Sequence, residues 1–240
     1  LCDFVFMVKD LSKMCLTGPA VVESVLGIKT TLDELGGSEV HGKKSGVAHV
    51  VCEDEKTCLD EIRMLLTYLP QNCSKEAKAE LDALHQPRET NGWLAGMFHR
   101  TEQTRTPVRF EELVPDNSRR AYDVHAVIDN LLLNDSFYEI FREFAPNAVT
   151  GFGVMDHHVI GVVANQPMYL GGAIDYDAAD KMARFIRFCD CFRIPILTLV
   201  DVPAFFPGPQ QEQNGIIRHG AKILYAFSEA TVPKVTLIMR

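Results

Sequence analysis

The chain has 240 residues, of which 47% are hydrophobic, and a formal net charge of -8, a composition that supports a sizeable core in one large domain or two small ones. The acidic balance argues against nucleic acid or an anionic membrane surface as the main partner, because phosphate recognition needs clustered lysine and arginine, although a local basic pocket for a phosphorylated ligand stays open. Seven cysteines at irregular spacing do not read as a disulfide framework and point to a reducing compartment, and no apolar run approaches the roughly 20 residues of a membrane helix.

In chain order, residues 3–8 (DFVFMV) and 13–17 (KMCLT) are predicted strands, and Gly18-Pro19 opens a helix over 20–26, with proline suited to its first position. A short helix then ends at Gly36-Gly37, a polar loop follows, and a strand covers 47–52. Leu59, Ile62, Leu65, Leu66 and Leu69 recur at helical spacing until Pro70. Residues 1–70 therefore read as one α/β unit. Residues 71–120 are charged, poor in aliphatic side chains and dotted with Pro87, Asn91-Gly92, Pro107 and Pro115. They read as a linker apart from a polar helical patch over 75–85, with Trp93, Met97 and Phe98 expected to pack it onto the domains.

In residues 121–240, Asp123 is predicted to cap a helix with the stripe Val127, Ile128, Leu131 and Leu132, and Asp135-Ser136 to cap another carrying Phe137, Ile140, Phe141 and Phe144. Strands over 150–155 and 159–164 flank the turn Asp156-His157-His158, whose histidines are expected to be solvated. Asp177 is predicted to cap a helix burying Met182, Ala183, Ile186 and Cys189, followed by a strand over 194–200, a helix over 211–230 and a strand over 235–239. That order is a parallel βαβαβ array with right-handed crossovers and strands buried on both faces.

Ligands of open α/β sheets sit beyond the carboxyl ends of the strands, where residues 201–209 (DVPAFFPGP) fall. Prolines stiffen this loop, Phe205 and Phe206 offer flat apolar surface, and the next helix presents free N–H groups. The residue chemistry leaves two readings open: a pocket wall, or a strand terminator whose Asp201 satisfies backbone N–H groups. Arg218 and His219 read as ion-paired helix residues. Cys189 and Cys191 point to different helix faces and read as thiols rather than metal ligands. The chain shows no P-loop, zinc signature or Ser-His-Asp spacing, and Gly36-Gly37 and Gly171-Gly172 are too short for dinucleotide fingerprints.

Three longer stretches carry a family resemblance: GVVANQP at 161–167, RFIRFCDCFRIPILTLVDVP at 184–203 and GIIRHGAKILYAFSEATVPKVTLI at 215–238. They resemble the β subunit of propionyl-CoA carboxylase and its relatives, the methylmalonyl-CoA decarboxylase α subunits and the large transcarboxylase subunit. DFVFMVKD, LTGPAVVESV, ELGGSEVHGKKSGVAH and YLP in the first half agree, so the likeness covers most of the chain outside about 71–109. It implies an α/β chain of crotonase-like (ClpP/crotonase) fold, a spiral ββα superhelix in two related partial domains. Residues 1–70 would be the C-terminal part of the N (acyl-CoA) domain, 71–120 the linker, and 121–240 the N-terminal part of the C (biotin) domain.

The implied activity is that of a biotin-dependent acyl-CoA carboxylase carboxyltransferase. It moves a carboxyl group between carboxybiotin and a short-chain acyl-CoA of the propionyl-CoA/methylmalonyl-CoA class through an enolate, with two backbone-amide oxyanion holes. Biotin would arrive on a biotinylated carrier of a biotin carboxylase partner, acyl-CoA would be substrate, and the subunit would form a homo-oligomer, a hexamer of face-to-face dimers, in bacterial cytoplasm or mitochondrial matrix. On the family's pattern the biotin site comprises Asn165, Gln166, Pro167, Asp201, Pro203, Ala204, Phe205, Gly208 and Gly215. No catalytic residue, acyl-CoA contact or metal ligand is assigned, because the family's oxyanion glycines correspond to positions before Leu1 and after Arg240. The expectation is thus either a carboxyltransferase subunit or fragment, or a non-catalytic truncated homologue that associates with carboxylase subunits, and whether the chain is itself an enzyme stays open. A crotonase-type hydratase would need an acid/base pair that the sequence does not offer. The chain departs from the family's VDVPGF at Ala204 and from its QEYGGIIRHGAK at Gln213 and Asn214. A Cβ at 204 would strain a left-handed backbone, asparagine at 214 would tolerate one, and Gln213 lacks an aromatic packing surface.

Overall fold

The computed structural model describes residues 2–86, 108–117 and 120–240, in two packing units: Leu1–Leu66 with Ile140–Ala145, and Thr67–Glu139 with Pro146–Arg240. Trp93, Met97 and Phe98 lie outside the described residues.

In the first unit, β1 (Phe6–Val8) pairs in parallel with β2 (Val50–Cys52), Met7 opposite Val51. Helix α1 (Pro19–Leu26) begins with the proline and stops at Gly27, whose φ of 69° suits glycine. Thr31 and Glu34 form a reciprocal capping box at α2 (Leu32–Gly36), and α3 (Ser38–Lys43) follows directly, where a polar loop was expected. The 13–17 segment is not a strand, since only Lys13 bridges Gly37. Gly36 lies so close to the Met14 carbonyl that any Cβ would overlap it, and that contact replaces sheet pairing. The amphipathic α4 (Glu55–Leu66) buries Leu65.

The helix predicted after Asp135-Ser136 does not form. Asp135, Phe141 and Ala145 take φ of 51°, 57° and 45°, each incompatible with a right-handed helix. Instead the run is a short strand, β3 (Tyr138–Ile140), and a turn. Phe141 and Phe144 are buried in the first unit, Phe141 4.2 Å from the His49 ring.

The second unit is built on the sheet order β3-β4-β5-β6-β7. Strands β4 (Ala148–Met155) and β5 (His158–Asn165) form a hairpin whose two turn residues, Asp156 and His157, have φ of 45° and 66°, the handedness that matches strand twist. Strands β5, β6 (Ile196–Val200) and β7 (Lys234–Ile238) run parallel, with Gly161 opposite Ile196 and Leu197 opposite Val235. Helix α5 (Lys75–Leu84) buries Ala77, Lys78 and Leu81, α6 (Phe110–Leu113) is one turn, and α7 (Val124–Leu131) is capped by Asp123. The first crossover is α8 (Tyr176–Cys191), capped by Asp175 rather than Asp177, with Asp175 Oδ1 accepting from Ala178 N at 2.8 Å. The second crossover, expected as one helix, is α9 (Pro209–Gln213) and α10 (Ile216–Glu229), broken at Gly215 with φ 81°. Edge strand β7 also departs from expectation: Val235 and Ile238 are 61% and 73% exposed. No described helix is long and apolar enough to cross a membrane.

One face of the sheet packs Val149, Val162 and Leu199 against Val124, Val127 and Ile128 of α7. On α8, Phe185 stands 5.1 Å from the Phe152 ring, and a Cβ on Gly161 would lie 2.5 Å from Cys189 Sγ. Glycine in β5 therefore sets how closely α8 approaches the sheet. Gly161→Ala is expected to destabilise by about 1–3 kcal/mol through overpacking. Adding Cys189→Ala should return part of that loss, giving a coupling energy of about 1 kcal/mol in a denaturant-unfolding cycle. Strict additivity would mean that this contact does not set the spacing.

Candidate functional site

Parallel β5 and β6 end side by side, Ala164 opposite Leu199, which brings the turn after β5 and the loop after β6 to one edge. Buried Asn165 joins them: its Oδ1 accepts from Asp201 N at 3.3 Å and its Nδ2 donates to Gly172 O at 3.2 Å. Gly172, at φ 79°, approaches so closely that a Cβ would stand 2.5 Å from Asp201 O. Further along, Ile174 N donates to Ala204 O at 3.2 Å and Phe206 N to Ile174 O at 2.8 Å. The turn of residues 166–173 and the loop of residues 201–208 are thus stitched along their bases.

The nine residues of the predicted set divide in two. Asn165, Gln166, Pro167 and Asp201 are buried. The Gln166 amide donates to Asp123 Oδ1 at 2.7 Å and accepts from Val124 N at 3.3 Å. Asp201 accepts from Arg240 Nε at 2.7 Å, and the Arg240 guanidinium lies 4.9 Å over the Tyr122 ring while donating to the carbonyls of Pro115 and Asn117. Burial, then the neighbouring Asp201 carboxylate, pushes the Tyr122 phenol well up from its ordinary value. Pro203, Ala204 and Phe205 face solvent, and Gly208 and Gly215 precede α9 and α10 with φ of 139° and 81°. Phe205 is 45% exposed, its other face seated on Gly220, where a Cβ would meet the ring at 2.9 Å.

The backbone at Ala204 is not left-handed, so its methyl introduces no φ strain, and Asn214 has φ -82°, leaving the left-handed step to Gly215. Elsewhere, His219 Nδ1 pairs with Asp180 at 2.9 Å, as expected of an ion-paired helix residue, whereas Arg218 is exposed and lies 3.4 Å from His219 Nε2 rather than against a carboxylate. The two turn histidines have protein partners rather than water alone: His157 Nδ1 lies 3.1 Å from His85 O, and His158 pairs with Asp82 at 3.2 Å. Cys189 is buried and Cys191 exposed. Among the described residues no group of three or more His, Cys, Asp or Glu is arranged to hold a metal.

Sequence reasoning missed two features of this edge. Met168, Tyr169 and Leu170 project into solvent, 59%, 51% and 46% exposed, on a turn where Leu170, Gly171 and Gly172 have successive φ of 50°, 63° and 79°. Leucine in that region is strained by roughly 1–3 kcal/mol, a state retained mostly at functional segments; the Gly171-Gly172 pair was the available signal. Beneath the turn lies a charged assembly. Glu139 foremost, then Asp123, holds the His125 imidazolium and raises it to about 9, and burial lowers the Lys181 ammonium to about 7. Lys181 Nζ donates to Ala148 O at 2.6 Å. No local sequence pattern announces this assembly, because its charged members come from three separate elements, α7 with its cap, β3 and α8.

The sequence profile described as the carboxyl transferase domain matches residues 1–240. The propionyl-CoA carboxylase carboxyltransferase subunit of Haloferax mediterranei is 49% identical over 240 residues, all of this chain and 43% of that protein. The methylmalonyl-CoA decarboxylase subunit alpha of Veillonella parvula is 45% identical, over all of this chain and 44% of that protein. Among solved structures, transcarboxylase 12S, described as a hexamer with hydrolysed methylmalonyl-coenzyme A bound, superimposes with a TM-score of 0.84 at 41% identity, over 98% of this chain and 43% of that one. The chain therefore spans less than half the length of these relatives, and it has the crotonase-like α/β fold expected of it. By sequence along its whole length and by fold, it belongs to the carboxyl transferase domain family.

Proposed function

We propose that this chain is part of a carboxyltransferase that moves a carboxyl group between biotin and a short-chain acyl-CoA of the propionyl-CoA/methylmalonyl-CoA class through an enolate. The observation that carries the reading is the match of the whole chain to proteins named for this chemistry, at 49% and 45% identity. On this reading residues 1–70 belong to the acyl-CoA domain and 121–240 to the biotin domain, joined by 71–120. Its partners are further copies of the subunit and a biotinylated carrier with its biotin carboxylase, and its setting is the cytoplasm.

The carboxyl edge suits biotin, whose thioether ring gives apolar surface beside a polar ureido ring. Phe205 offers one exposed ring face between Pro203 and Pro207, and the left-handed glycines Gly171 and Gly208 have open space where a Cβ would lie. Pro203, Ala204, Phe205, Gly208 and Gly215 would hold the ring, while Asn165, Gln166, Pro167 and Asp201 keep the wall rigid from beneath. Bound biotin supplies the transferable carboxyl group. The protein's own work at this edge is to orient the ring and exclude water from it. A rigid apolar wall does this at little entropic cost.

A chimera tests the assignment. Replacing the matching segment of the Haloferax subunit by this chain should yield an assembled enzyme that carboxylates propionyl-CoA in a biotin-dependent manner. A folded, assembled but inactive chimera would instead identify a non-catalytic homologue. In the active chimera, Phe205→Ala should raise KM for free biotin by roughly tenfold, as expected for loss of about 1.4 kcal/mol of ring contact. KM for propionyl-CoA should stay unchanged. An equal effect on both substrates would remove Phe205 from the biotin wall.

A further inference from the structure

The strained turn after β5 rests on a side-chain relay whose geometry is unusual for packing alone. Asp123 Oδ1 gathers three donors: His125 N at 3.0 Å, His125 Nδ1 at 2.6 Å and Gln166 Nε2 at 2.7 Å. The far nitrogen of the same imidazole, Nε2, stands 3.1 Å from Glu139 Oε2. Neutral imidazole carries one N–H and donates to one carboxylate; donation to both requires imidazolium. Gln166 Oε1 accepts from Val124 N and, at 3.4 Å, from Met168 N, while Gln166 O accepts from Tyr169 N at 3.1 Å. One glutamine thus ties the start of α7 to the turn. The groups facing His125 are Asp123 from the α7 cap, Glu139 from β3, Gln166 from the end of β5 and the Phe137 ring at 6.3 Å. Beyond Glu139 lies the buried Lys181 ammonium of α8.

We propose that Asp123, His125 and Glu139 are positioning residues for the biotin-facing turn: the doubly held imidazolium fixes Asp123, Asp123 orients the Gln166 amide, and Gln166 holds the turn that carries Met168, Tyr169 and Leu170. The inference rests on the reading of this edge as the biotin site. The two carboxylates raise the folded imidazolium to about 9, against 6.5 for a free imidazole. Its stabilising contribution is therefore fully present below pH 6.5 and is lost as pH rises through about 9.

The test is site-resolved hydrogen exchange on the full chain, corrected for intrinsic rates, comparing the turn amides of Met168, Tyr169, Gly172 and Ala173 with the amides of β4. At pH 7, His125→Gln and Glu139→Gln should each lower turn protection about tenfold, the size of one lost hydrogen bond, and leave β4 unchanged. Gln166→Ala, which spares the ion pairs, should do the same. The parent should lose turn protection selectively between pH 8 and 10, and Glu139→Gln should move that loss to lower pH. Unchanged turn protection, or equal loss throughout β4, would overturn the proposal. Binding of radiolabelled free biotin to the same proteins separates the two readings. Weaker binding in step with turn loosening supports both, whereas a loosened turn with unchanged or undetectable biotin binding leaves the clamp standing and removes the biotin assignment.

Discussion

The side-chain amide of Asn165 is the constraint on which the carboxyl edge depends. Parallel pairing delivers β5 and β6 to the same edge, but their following segments carry backbone groups that the sheet no longer satisfies. Asn165 answers one on each side, accepting from Asp201 N and donating to Gly172 O. An amide is suited to this task because it is donor and acceptor at once. An aspartate in its place would repel the Gly172 carbonyl, and an apolar side chain would leave two buried groups unpaired. The turn and the loop owe their mutual geometry to this bond pair and to the Ile174–Phe205 pairing farther out.

Close approach is the second theme. Gly161 lets α8 come down on β5, Gly172 lets the turn lie on the Asp201 carbonyl, and Gly220 gives the Phe205 ring a seat on α10. At each a methyl group would collide with its neighbour: the Cys189 sulfur, the Asp201 backbone carbonyl or the Phe205 ring. The exposed side of the loop can be rigid because its underside is filled. Phe205 is a solvent-facing ring seated on Gly220, which is the support a small ring ligand needs of a wall.

Charge is handled in the same economical way beneath the turn. Lys181 is fully buried and Glu139 largely so, whereas Asp123 and His125 stay partly in water, and the four are placed so that opposite charges alternate. At the loop's base, Arg240 spans Asp201, the Tyr122 ring and two carbonyls, so that the first residue of the loop is anchored from several directions. These polar groups add orientation more than net stability.

Much of the second unit was legible from residue order: apolar runs bounded by Asp123 and by the Asp156-His157 turn, the buried stripe Met182, Ala183, Ile186 and Cys189, and a proline-rich loop at a strand's carboxyl end, besides the motifs that carry the family resemblance. What could not be read locally were competitions settled by distant partners. The aromatic run around Phe137 to Phe144 has helical spacing, yet left-handed residues divide it between a strand and a turn, and Phe141 finds its place against His49. Gly215 breaks a helical pattern that periodicity alone would continue. Fold class, strand–helix alternation and family follow from residue order, because hydrophobic period and specific residue runs are local properties. That Asn165, Gln166 and Asp201 work beneath the candidate site, that Phe205 and Met168 to Leu170 face outward, and that His125 bridges two carboxylates emerges in the folded chain alone. Burial and hydrogen-bond partnership are settled by residues that meet only after the chain has folded.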